Sequence, residues 1–430
     1  MKGSRNSWPA ALSGAEAGRL RFVAAWFAAV ALTAAAAAAQ VRLGIDVLEA
    51  QRFAPLKGRR IGLIANQTSV DSQGRRAADI LRAAPGVRLV ALFAPEHGLE
   101  GKVAAGREFP DSRDAASGLP VFSLYGPKAT RAPSEEMLKG IDLMVYDVQD
   151  VGLRSYTYIS TLGLAIEACA KAGVDFLVLD RPDPLGGTRV EGPVLDPKFR
   201  SFVGQWPIPL VYGMTPGELA LMIAGEKWIS KSRWISVIPM AGWQRKMTWR
   251  KTGLAWVPPS PAMTDPERPF YLTATAYLAQ IGGVSVGFGT PHPYQCVAAP
   301  WWDARLLAAW FARKKLPGIA FDPVSFTPRR GAYAGRKVHG VRLRLTDPAA
   351  APLVPINFYA LDAARELAGK RLYAEAARQG RSFAMFDKLM GTDKVRRALA
   401  AGVSGEELAR SWAPALERFR ALRAKYLIYR

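Results

Sequence analysis

Short apolar runs recur through the first 240 residues of the chain, and each one stops abruptly at polar residues. Runs of this kind are typical of buried strands, and the stretches between them have the spacing of helices. Strands that alternate with helices in this way predict a parallel α/β sheet with helices on both faces. The predicted strands are Arg60–Ala65, Leu89–Ala94, Pro120–Leu124, Leu143–Tyr146, Val174–Leu179 and Ile235–Met240, and the predicted helices are Gly74–Ala84, Ser134–Lys139 and Thr157–Ala172.

The pattern changes after residue 255. Three prolines in the stretch Trp256–Pro261 stiffen the chain, because each proline fixes its own torsion and restricts the preceding residue. We interpret this stretch as a crossing between domains, with an α/β domain at 40–255 and a smaller α+β domain at 256–430. The second domain has a predicted strand at Val338–Leu345 and predicted helices at Ile356–Ala368, Lys394–Ala401 and Gly405–Lys425.

The first 39 residues have the pattern of a signal peptide. Arg19 and Arg21 precede an uncharged segment, and small residues suited to cleavage follow at 33–39. We therefore expect an exported protein, periplasmic or extracellular, with a mature start near Gln40. The alternative is an uncleaved membrane anchor. Because the segment is rich in alanine and weakly hydrophobic, we expect no stable membrane insertion after cleavage.

The chain is strongly basic, with 58 Lys and Arg residues against 36 Asp and Glu residues and a formal charge of +22. Removal of residues 1–39 takes away four basic residues and one acidic residue and leaves +19. Such a charge attracts polyanions in general, including acidic cell-wall polymers. The basic residues are scattered and match no nucleic-acid-binding signature, so with an export signal we expect no nucleic-acid partner.

Several classes of chemistry have no support in the sequence. No glycine-rich nucleotide-binding motif follows a strand, and no Gly-x-Ser-x-Gly motif of a serine esterase occurs. There are three histidines and two cysteines, Cys169 and Cys296, which leaves little for a metal site or for cysteine catalysis. We expect no cofactor and no metal. A disulfide between the two cysteines is possible in an oxidising compartment but is not needed at this size.

Polar residues follow four of the predicted strands. In open parallel sheets, ligands bind beyond the carboxyl ends of the strands, so we expect these side chains to meet in one site. They are Asn66 after the first strand, Glu96 and His97 after the second, Asp147, Gln149 and Asp150 after the fourth, and Asp180, Arg181 and Asp183 after the fifth.

Glu96 is the candidate catalytic acid. A hydrolase built on carboxylates needs one protonated group that assists the leaving oxygen and a second polar group that activates water or stabilises positive charge. Apolar neighbours such as Phe93 and Pro95 would disfavour the charged form of Glu96 and suit it to the first role. The alternative is a structural carboxylate that caps the next turn of the backbone.

Arg154 and Tyr156 are candidate substrate contacts. Arg154 could clamp a substrate carboxylate with two parallel hydrogen bonds, and Tyr156 could stack on a sugar ring. The alternative is an Asp–Arg ion pair that locks the loop. The same two interpretations apply to Asp180 and Arg181.

Several long motifs resemble one known family, the NamZ-type exo-β-N-acetylmuramidases. The resemblance covers nearly all of residues 44–429. The motifs are Gly62–Thr68, Leu92–Gly98, Tyr146–Gly152 with Arg154–Tyr158, Leu179–Pro182 with Pro184–Gly187, Glu191–Pro193, Trp256–Pro261 and Phe386–Leu389.

The resemblance implies a Rossmann-like first domain, an auxiliary second domain and an active cleft between them. It also implies release of N-acetylmuramic acid (MurNAc) from the non-reducing end of peptidoglycan fragments, such as MurNAc–GlcNAc saccharides, without nucleotide or metal. The family's Pro-Glu-His-Gly motif places the catalytic acid at Glu96, with His97, Asp147 and Asp150 as supporting residues. The expected substrate contacts are Asn66, Gln149, Arg154, Tyr156, Asp180, Arg181 and Glu191.

The chain departs from the family pattern in one region. Where the family has Glu-Gly-Thr-Asn, Gly-Arg-Gly-Thr and Pro-Phe-Glu, this chain has Ile281–Val284, Gly287–Thr290 and Pro293–Gln295, and Tyr212 replaces the usual histidine before Gly-Met-Thr. If a second catalytic acid normally comes from this region, the protein has altered specificity or no activity. The alternative function is therefore an exported cell-wall-fragment binding protein with impaired catalysis.

Overall fold

A seven-stranded sheet organises the first half of the chain in this computed structural model, which describes residues 40–126, 131–231 and 233–430. The predicted signal peptide lies outside the described residues. The strands are β1 Arg60–Ala65, β2 Arg88–Ala94, β3 Ser112–Arg113, β4 Pro120–Ser123, β5 Leu143–Asp147, β6 Asp175–Leu179 and β7 Ile235–Ile238. Their order is β3-β4-β2-β1-β5-β6-β7, and every neighbouring pair except β3 and β4 is parallel. The predicted parallel α/β sheet is confirmed.

Helices connect the strands, as the spacing of the apolar runs predicts. The helix predicted from Gly74 begins three residues later, because residues 71–76 form a turn. The side-chain carboxylate of Asp71 stabilises this turn by accepting hydrogen bonds from the N–H groups of Gln73 and Arg75. The helices of this half are α1 Gly44–Ala50, α2 Ala77–Ala83, α3 Glu135–Leu138, α4 Tyr158–Lys171 and α5 Pro216–Gly225, with short 3₁₀ helices at Ala54–Leu56, Pro197–Phe199 and Trp249–Thr252.

Both faces of the sheet are buried, and each faces its own hydrophobic cluster. Along β1, Ile61 and Leu63 belong to one cluster, whereas Ile64 belongs to the other. This alternation follows from the two-residue period of a strand. Because both faces are covered, the strands are continuous apolar runs that stop where the sheet reaches its carboxyl edge.

The second half contains a small antiparallel sheet, and its predicted strand Val338–Leu345 is confirmed as β10. With β8 Cys296–Ala299 and β9 Ile319–Phe326 it forms the order β8-β10-β9. The helix predicted over Gly405–Lys425 is two helices, since Pro414 lacks the N–H needed inside a continuous helix. The helices are α6 Arg268–Ile281, α7 Ala304–Arg313, α8 Ile356–Ala368, α9 Leu372–Arg378, α10 Ala384–Met390, α11 Lys394–Ala400, α12 Gly405–Ser411 and α13 Ala413–Arg423, and a last 3₁₀ helix is Ala424–Tyr426.

One hydrophobic cluster runs through both halves. It includes Tyr158 at the start of α4 and Phe358 in α8, both nearly inaccessible to solvent. Residues 41–430 accordingly form one compact unit. The domain boundary between residues 255 and 256 stays a prediction.

Two further sequence questions concern the membrane and the cysteines. Within the described residues, no helix combines the length and the apolar character needed to span a bilayer. Cys169 and Cys296 are both buried free thiols, so no disulfide joins them.

Candidate active site

A tight turn follows β2 at the carboxyl edge of the sheet. The Gly98 N–H donates to the Pro95 carbonyl at 3.0 Å. His97 has a φ of 73°, a left-handed conformation that is uncommon for residues other than glycine and that clusters at functional sites. His97 Nδ1 lies 2.7 Å from the Val103 carbonyl oxygen. Because a carbonyl only accepts hydrogen bonds, this contact assigns a proton to Nδ1 and fixes the ring.

Two hydrogen bonds orient the Glu96 carboxyl group in this turn. Oε1 accepts from the Gly106 N–H at 2.8 Å, and Oε2 accepts from the Thr157 hydroxyl at 2.5 Å. Thr157 immediately precedes α4, so the Glu96 carboxyl group lies beside the N-terminus of that helix. With 8% of its surface exposed, Glu96 is a fixed and largely desolvated carboxyl group.

A cavity of about 460 Å³ opens beside Glu96. Its walls come from the turn after β2, the start of α4, the segment 260–263 and one face of α6. Among the described residues that line the cavity, Glu96 is the only carboxylate. The other polar lining residues carry imidazole, hydroxyl or amide groups and are His97, Ser155, Tyr156, Thr157, Tyr158, Ser260, Tyr277, Gln280 and Tyr294.

Four tyrosines line the cavity, Tyr156, Tyr158, Tyr277 and Tyr294. Tyr156 and Tyr158 pack edge to face with ring centroids 5.1 Å apart, and the Tyr158 hydroxyl donates to the Pro259 carbonyl at 2.6 Å. Burial raises the pKa of Tyr156 well above its usual value, so its phenol stays protonated. The cavity therefore offers aromatic surface and neutral hydrogen-bonding groups around a single acid.

The segment Trp256–Pro261 divides the space above the sheet edge. Gln67 Nε2 donates to the Pro258 carbonyl at 2.7 Å, and the next carbonyl along accepts from Tyr158. On one side of this segment lies the Glu96 cavity. On the other side lies a hollow of about 150 Å³ lined by Gln149 and Arg181 among others. The expectation that all the polar strand ends meet in one site is therefore wrong.

Asp147 forms a buried ion pair with Arg181. Arg181 Nε and Nη2 donate to the two carboxylate oxygens at 2.6 and 2.9 Å. Burial raises the pKa of Asp147, while the guanidinium charge opposes that shift. Asp147 does not line the Glu96 cavity, and this pair is the structural alternative considered for such residues. Arg181 lines only the smaller hollow.

Asp150 is buried away from the cavity beside a second acid, Asp183. Oδ2 of Asp150 accepts from the Gly152 N–H at 2.8 Å and from the Tyr212 hydroxyl at 2.6 Å. Burial raises the pKa of Asp150 to about 7 and that of Asp183 to about 8. Asp150 Oδ1 and Asp183 Oδ2 have no hydrogen-bond partner among the described residues. Tyr212, one of the departures from the family pattern, thus serves this buried pair.

Arg154 is inaccessible to solvent and points into the protein interior. Its Nη1 donates to the carbonyls of Pro193 and Ile208 at 2.8 and 2.7 Å, and its Nη2 donates to that of Leu389 at 2.8 Å. Burial lowers the pKa of Arg154 to about 10, which leaves it charged at neutral pH. These contacts favour a structural role, in which Arg154 joins a loop of the first half to the end of α10.

Asp180 and Glu191 are likewise engaged in structural contacts. Asp180 accepts from the Thr215 hydroxyl at 2.7 Å and from the Gly217 N–H at 2.8 Å, and so caps α5. Glu191 accepts from the N–H groups of Leu353 and Val354 at 2.8 and 2.9 Å, just before α8. Neither residue lines the Glu96 cavity, and their predicted substrate contacts have no support in these geometries.

Asn66 and Gln149 stabilise the loops at the ends of β1 and β5. Asn66 Oδ1 accepts from the Thr68 N–H at 2.9 Å, a local turn. Gln149 Nε2 donates to the Pro182 carbonyl at 2.7 Å. Asn66 lines a separate hollow and Gln149 lines the smaller one beside Arg181, so neither reaches the Glu96 cavity.

The segment that departs from the family pattern touches the cavity at one residue. Ile281 is fully buried in the core at the end of α6. Gln295 Nε2 donates to the Leu343 carbonyl at 3.0 Å, away from the cavity. Tyr294 lines the cavity. From the segment 281–295, the cavity therefore receives the aromatic ring of Tyr294 and no acidic side chain.

Of the predicted site residues, the structure brings Glu96, His97 and Tyr156 together in one cavity. The sequence reasoning missed Thr157 and Gly106, which orient Glu96. Thr157 carried a signal, a hydroxyl residue directly before a predicted helix. Gly106 contributes only its backbone N–H, which leaves no trace in the sequence. Within the described part of the chain, no cluster of three or more His, Cys, Asp or Glu side chains could hold a metal ion.

Comparisons with known proteins agree on one family. A family model described as exo-beta-N-acetylmuramidase NamZ, N-terminal, matches residues 61–267, and its C-terminal counterpart matches residues 274–429. The chain is 40% identical over 390 residues to the peptidoglycan beta-N-acetylmuramidase NamZ of Bacillus subtilis (strain 168), which covers 91% of this chain and 92% of that protein.

Two crystal structures of DUF1343 family proteins from Bacteroides fragilis NCTC 9343 share the fold. One is 41% identical with a TM-score of 0.85, and the other is 31% identical with a TM-score of 0.71. Each comparison covers 91% of this chain and 99% of the other. The similarity therefore extends over both halves of the molecule.

Proposed function

The chain belongs to the exo-β-N-acetylmuramidase NamZ family of glycoside hydrolases, and from that premise we propose that it releases MurNAc from the non-reducing end of peptidoglycan fragments with Glu96 as the general acid. The observation that carries the proposal is the position of Glu96. It is the one carboxylate that lines the cavity among the described residues, and two hydrogen bonds orient it. A general acid must be positioned in this way before its proton can reach a leaving oxygen.

The contacts of Glu96 suit a group that gives up and regains a proton. A hydroxyl can donate a hydrogen bond to a carboxylate and can rotate to accept one from a carboxylic acid. The Thr157 hydroxyl at 2.5 Å from Oε2 can therefore serve both states of Glu96. The N–H of Gly106 fixes the other oxygen, so proton transfer does not change the direction of the carboxyl group.

The cavity also suits a sugar. A carbohydrate ring presents apolar C–H faces and hydroxyl edges, which match aromatic surface and neutral polar groups. Tyr156, Tyr158 and Tyr294 provide the aromatic surface, and Ser155, Ser260 and Gln280 provide polar atoms. The volume of about 460 Å³ lies within the range for small-molecule sites.

Release of MurNAc from a MurNAc–GlcNAc disaccharide tests the proposal. The parent protein should release MurNAc, and Glu96→Gln should reduce the rate by about 100-fold to 10,000-fold, the usual contribution of a positioned acid. Glu100→Gln is the matched control, because Glu100 is exposed, lies four residues away and forms a solvent-exposed ion pair with Lys102. Equal losses in the two variants, or an unimpaired Glu96→Gln protein of native stability, would contradict the role of Glu96.

The single carboxylate favours a second candidate, a binding protein with impaired catalysis. Such a protein would bind the same disaccharide and release nothing. The two candidates separate in the parent protein: calorimetric binding without MurNAc release supports the second, and release under the same conditions supports the first.

Export to the periplasm or the outside of the cell is part of the proposal. It is supported by the arginines and the apolar segment within residues 1–39 and by the extracytoplasmic position of the proposed substrate. The mass of the N-terminal peptide of the native protein tests it, with a mature start near Gln40 expected. An intact N-terminus starting at Met1 would contradict cleavage.

A further inference from the structure

We propose that the substrate's own 2-acetamido group acts as the nucleophile, and that the α6 face (Leu272, Ala276, Tyr277 and Gln280) holds it against the sugar's anomeric carbon. This inference rests on the proposed function, since it presupposes that Glu96 protonates the leaving oxygen of a MurNAc glycoside. It adds the second functional group of the reaction, because the described residues that line the cavity include no carboxylate besides Glu96.

The first observation is the shortage of acids in the cavity. Most glycosidases use two carboxylates, about 5–5.5 Å apart when one is a nucleophile and about 6.5–9.5 Å apart when one activates water. Here the described lining residues include Glu96 alone. Asp147 is engaged with Arg181, and Asp150 is buried against Gly152 and Tyr212. Neither reaches the cavity to act as a partner of Glu96.

The second observation excludes a tyrosine nucleophile, which some glycosidases use in place of a carboxylate. A phenol attacks efficiently only as the phenolate. Burial raises the pKa of Tyr277 to about 12 and the pKa values of the other tyrosines of the cavity, Tyr156, Tyr158 and Tyr294, above their usual value. These phenols therefore stay protonated at neutral pH and can serve as hydrogen-bond donors.

The third observation is the chemistry of the α6 face. Its four residues recur at helical spacing along one side of α6 and all line the cavity. Leu272 and Ala276 are apolar and suit a methyl group. The Tyr277 hydroxyl lies 3.3 Å from the Ser155 hydroxyl, and the Gln280 amide makes no hydrogen bond within the described part of the chain. This combination of a small apolar patch and neutral polar groups matches an acetamido group.

The reaction balances with Glu96 as the only protein acid. Glu96 gives its proton to the glycosidic oxygen, which leaves with the electron pair of its bond to C1. The acetamido carbonyl oxygen forms a new bond to C1, giving a positively charged oxazolinium ring beside the Glu96 carboxylate. Glu96 then takes a proton from water while the water oxygen attacks C1. The bond between C1 and the oxazolinium oxygen breaks, and its electron pair returns to that oxygen as the acetamido carbonyl re-forms. MurNAc therefore leaves with the β configuration retained.

The configuration of the first product is one test. Proton NMR of the reaction mixture, recorded before mutarotation, should show β-MurNAc as the first anomer released from the disaccharide. α-MurNAc as the first anomer would overturn the inference. No release at all would instead contradict the proposed function, so the two failures are distinguishable.

A series of N-acyl groups tests the nucleophile itself. Aryl β-muramides with N-acetyl, N-difluoroacetyl and N-trifluoroacetyl groups differ in the electron density of the carbonyl oxygen. We expect kcat/KM to fall on the order of 100-fold across the series, a part of the advantage of intramolecular attack. Retention with equal rates across the series would indicate a protein nucleophile and would overturn the inference.

Gln280→Ala tests the α6 face. We expect kcat/KM for the N-acetyl substrate to fall about 10-fold, the value of one hydrogen bond in the transition state. We also expect the dependence on the N-acyl group to become weaker, which a purely structural role would not change. Gln379→Ala, at an exposed glutamine outside the cavity, is the matched control. An unchanged Gln280→Ala enzyme would overturn the assignment of the α6 face.

Discussion

Glu96 follows β2 and Asp147 ends β5, the two strands that flank β1, yet their carboxylate oxygens have different partners. The two carboxylate oxygens of Asp147 each accept a hydrogen bond from the guanidinium of Arg181. This bidentate pair depends on the negative charge of Asp147. Glu96 accepts from a hydroxyl and a backbone N–H. A proton on Asp147 would break the ion pair, whereas a proton on Glu96 can be accommodated by Thr157. At the scale of single residues, this difference supports the proposed role of Glu96 as a proton donor and a structural role for Asp147.

Thr157→Val tests the contact that orients Glu96. The loss of a hydrogen bond to a charged group costs about 1.5–3 kcal/mol, so we expect kcat to fall about 10-fold or more with little change in KM. The thermal transition should stay close to that of the parent, because the Thr157 side chain does not cap α4. Thr157→Ser keeps the hydroxyl and should retain most of the activity. Equal activity in the Val and Ser variants would show that this hydrogen bond plays no part.

At the scale of elements, the Trp256–Pro261 segment decides which strand ends share a site. The sequence predicted the parallel strands and the polar residues at their ends, because burial of both sheet faces produces apolar runs. It could not predict that Gln67 and Tyr158 would bind the Pro258 and Pro259 carbonyls and so separate Glu96 from Arg181. That separation depends on two hydrogen bonds whose partners lie about 190 and about 100 residues apart in the sequence. A local sequence pattern cannot predict contacts over such distances.

The same scale explains why the sequence suggested a substrate clamp at Arg154, whereas the contacts in the structure favour a structural role. A motif with an arginine beside tyrosines favours carboxylate recognition, but the carbonyls that bind Arg154 come from 193, 208 and 389. Backbone carbonyls have no sequence signature. Glu96, His97 and Tyr156 could be identified because the turn after β2 and the start of α4 are local features.

Arg154→Met distinguishes the two roles. Loss of three charged hydrogen bonds and exposure of three buried carbonyls should lower the free energy of unfolding by about 3 kcal/mol or more. The remaining folded enzyme should keep its KM for the disaccharide, as measured below its unfolding temperature. Arg200→Met, at an exposed position, is the control. A raised KM with unchanged stability would restore the clamp.

At the scale of the whole molecule, the buried pair Asp150 and Asp183 links stability to pH. Burial raises the pKa of Asp183 to about 8, against about 3.9 in an unfolded chain. Below about pH 4 both states are protonated and the contribution to stability is complete. As pH rises toward about 8, the unfolded chain gives up its proton while the folded protein retains it, so the folded state loses stability over that window.

Asp183→Asn should flatten this dependence. The amide has the same shape and stays neutral, so the difference in Tm between pH 5 and pH 8 should be smaller than in the parent. Asp303→Asn, at the start of α7 and outside this buried pair, is the control for general charge effects. A parent protein that is more stable at pH 8 than at pH 5, with an identical profile in Asp183→Asn, would contradict the raised pKa.

The most direct test of the central claim, that Glu96 protonates the leaving oxygen, compares two leaving groups in Glu96→Gln. A p-nitrophenyl leaving group needs little protonation, whereas the GlcNAc of the disaccharide needs a full proton. The account predicts that Glu96→Gln loses about 100-fold or more of the parent's kcat/KM on MurNAc–GlcNAc and much less on p-nitrophenyl β-N-acetylmuramide. Equal losses on the two substrates would contradict it.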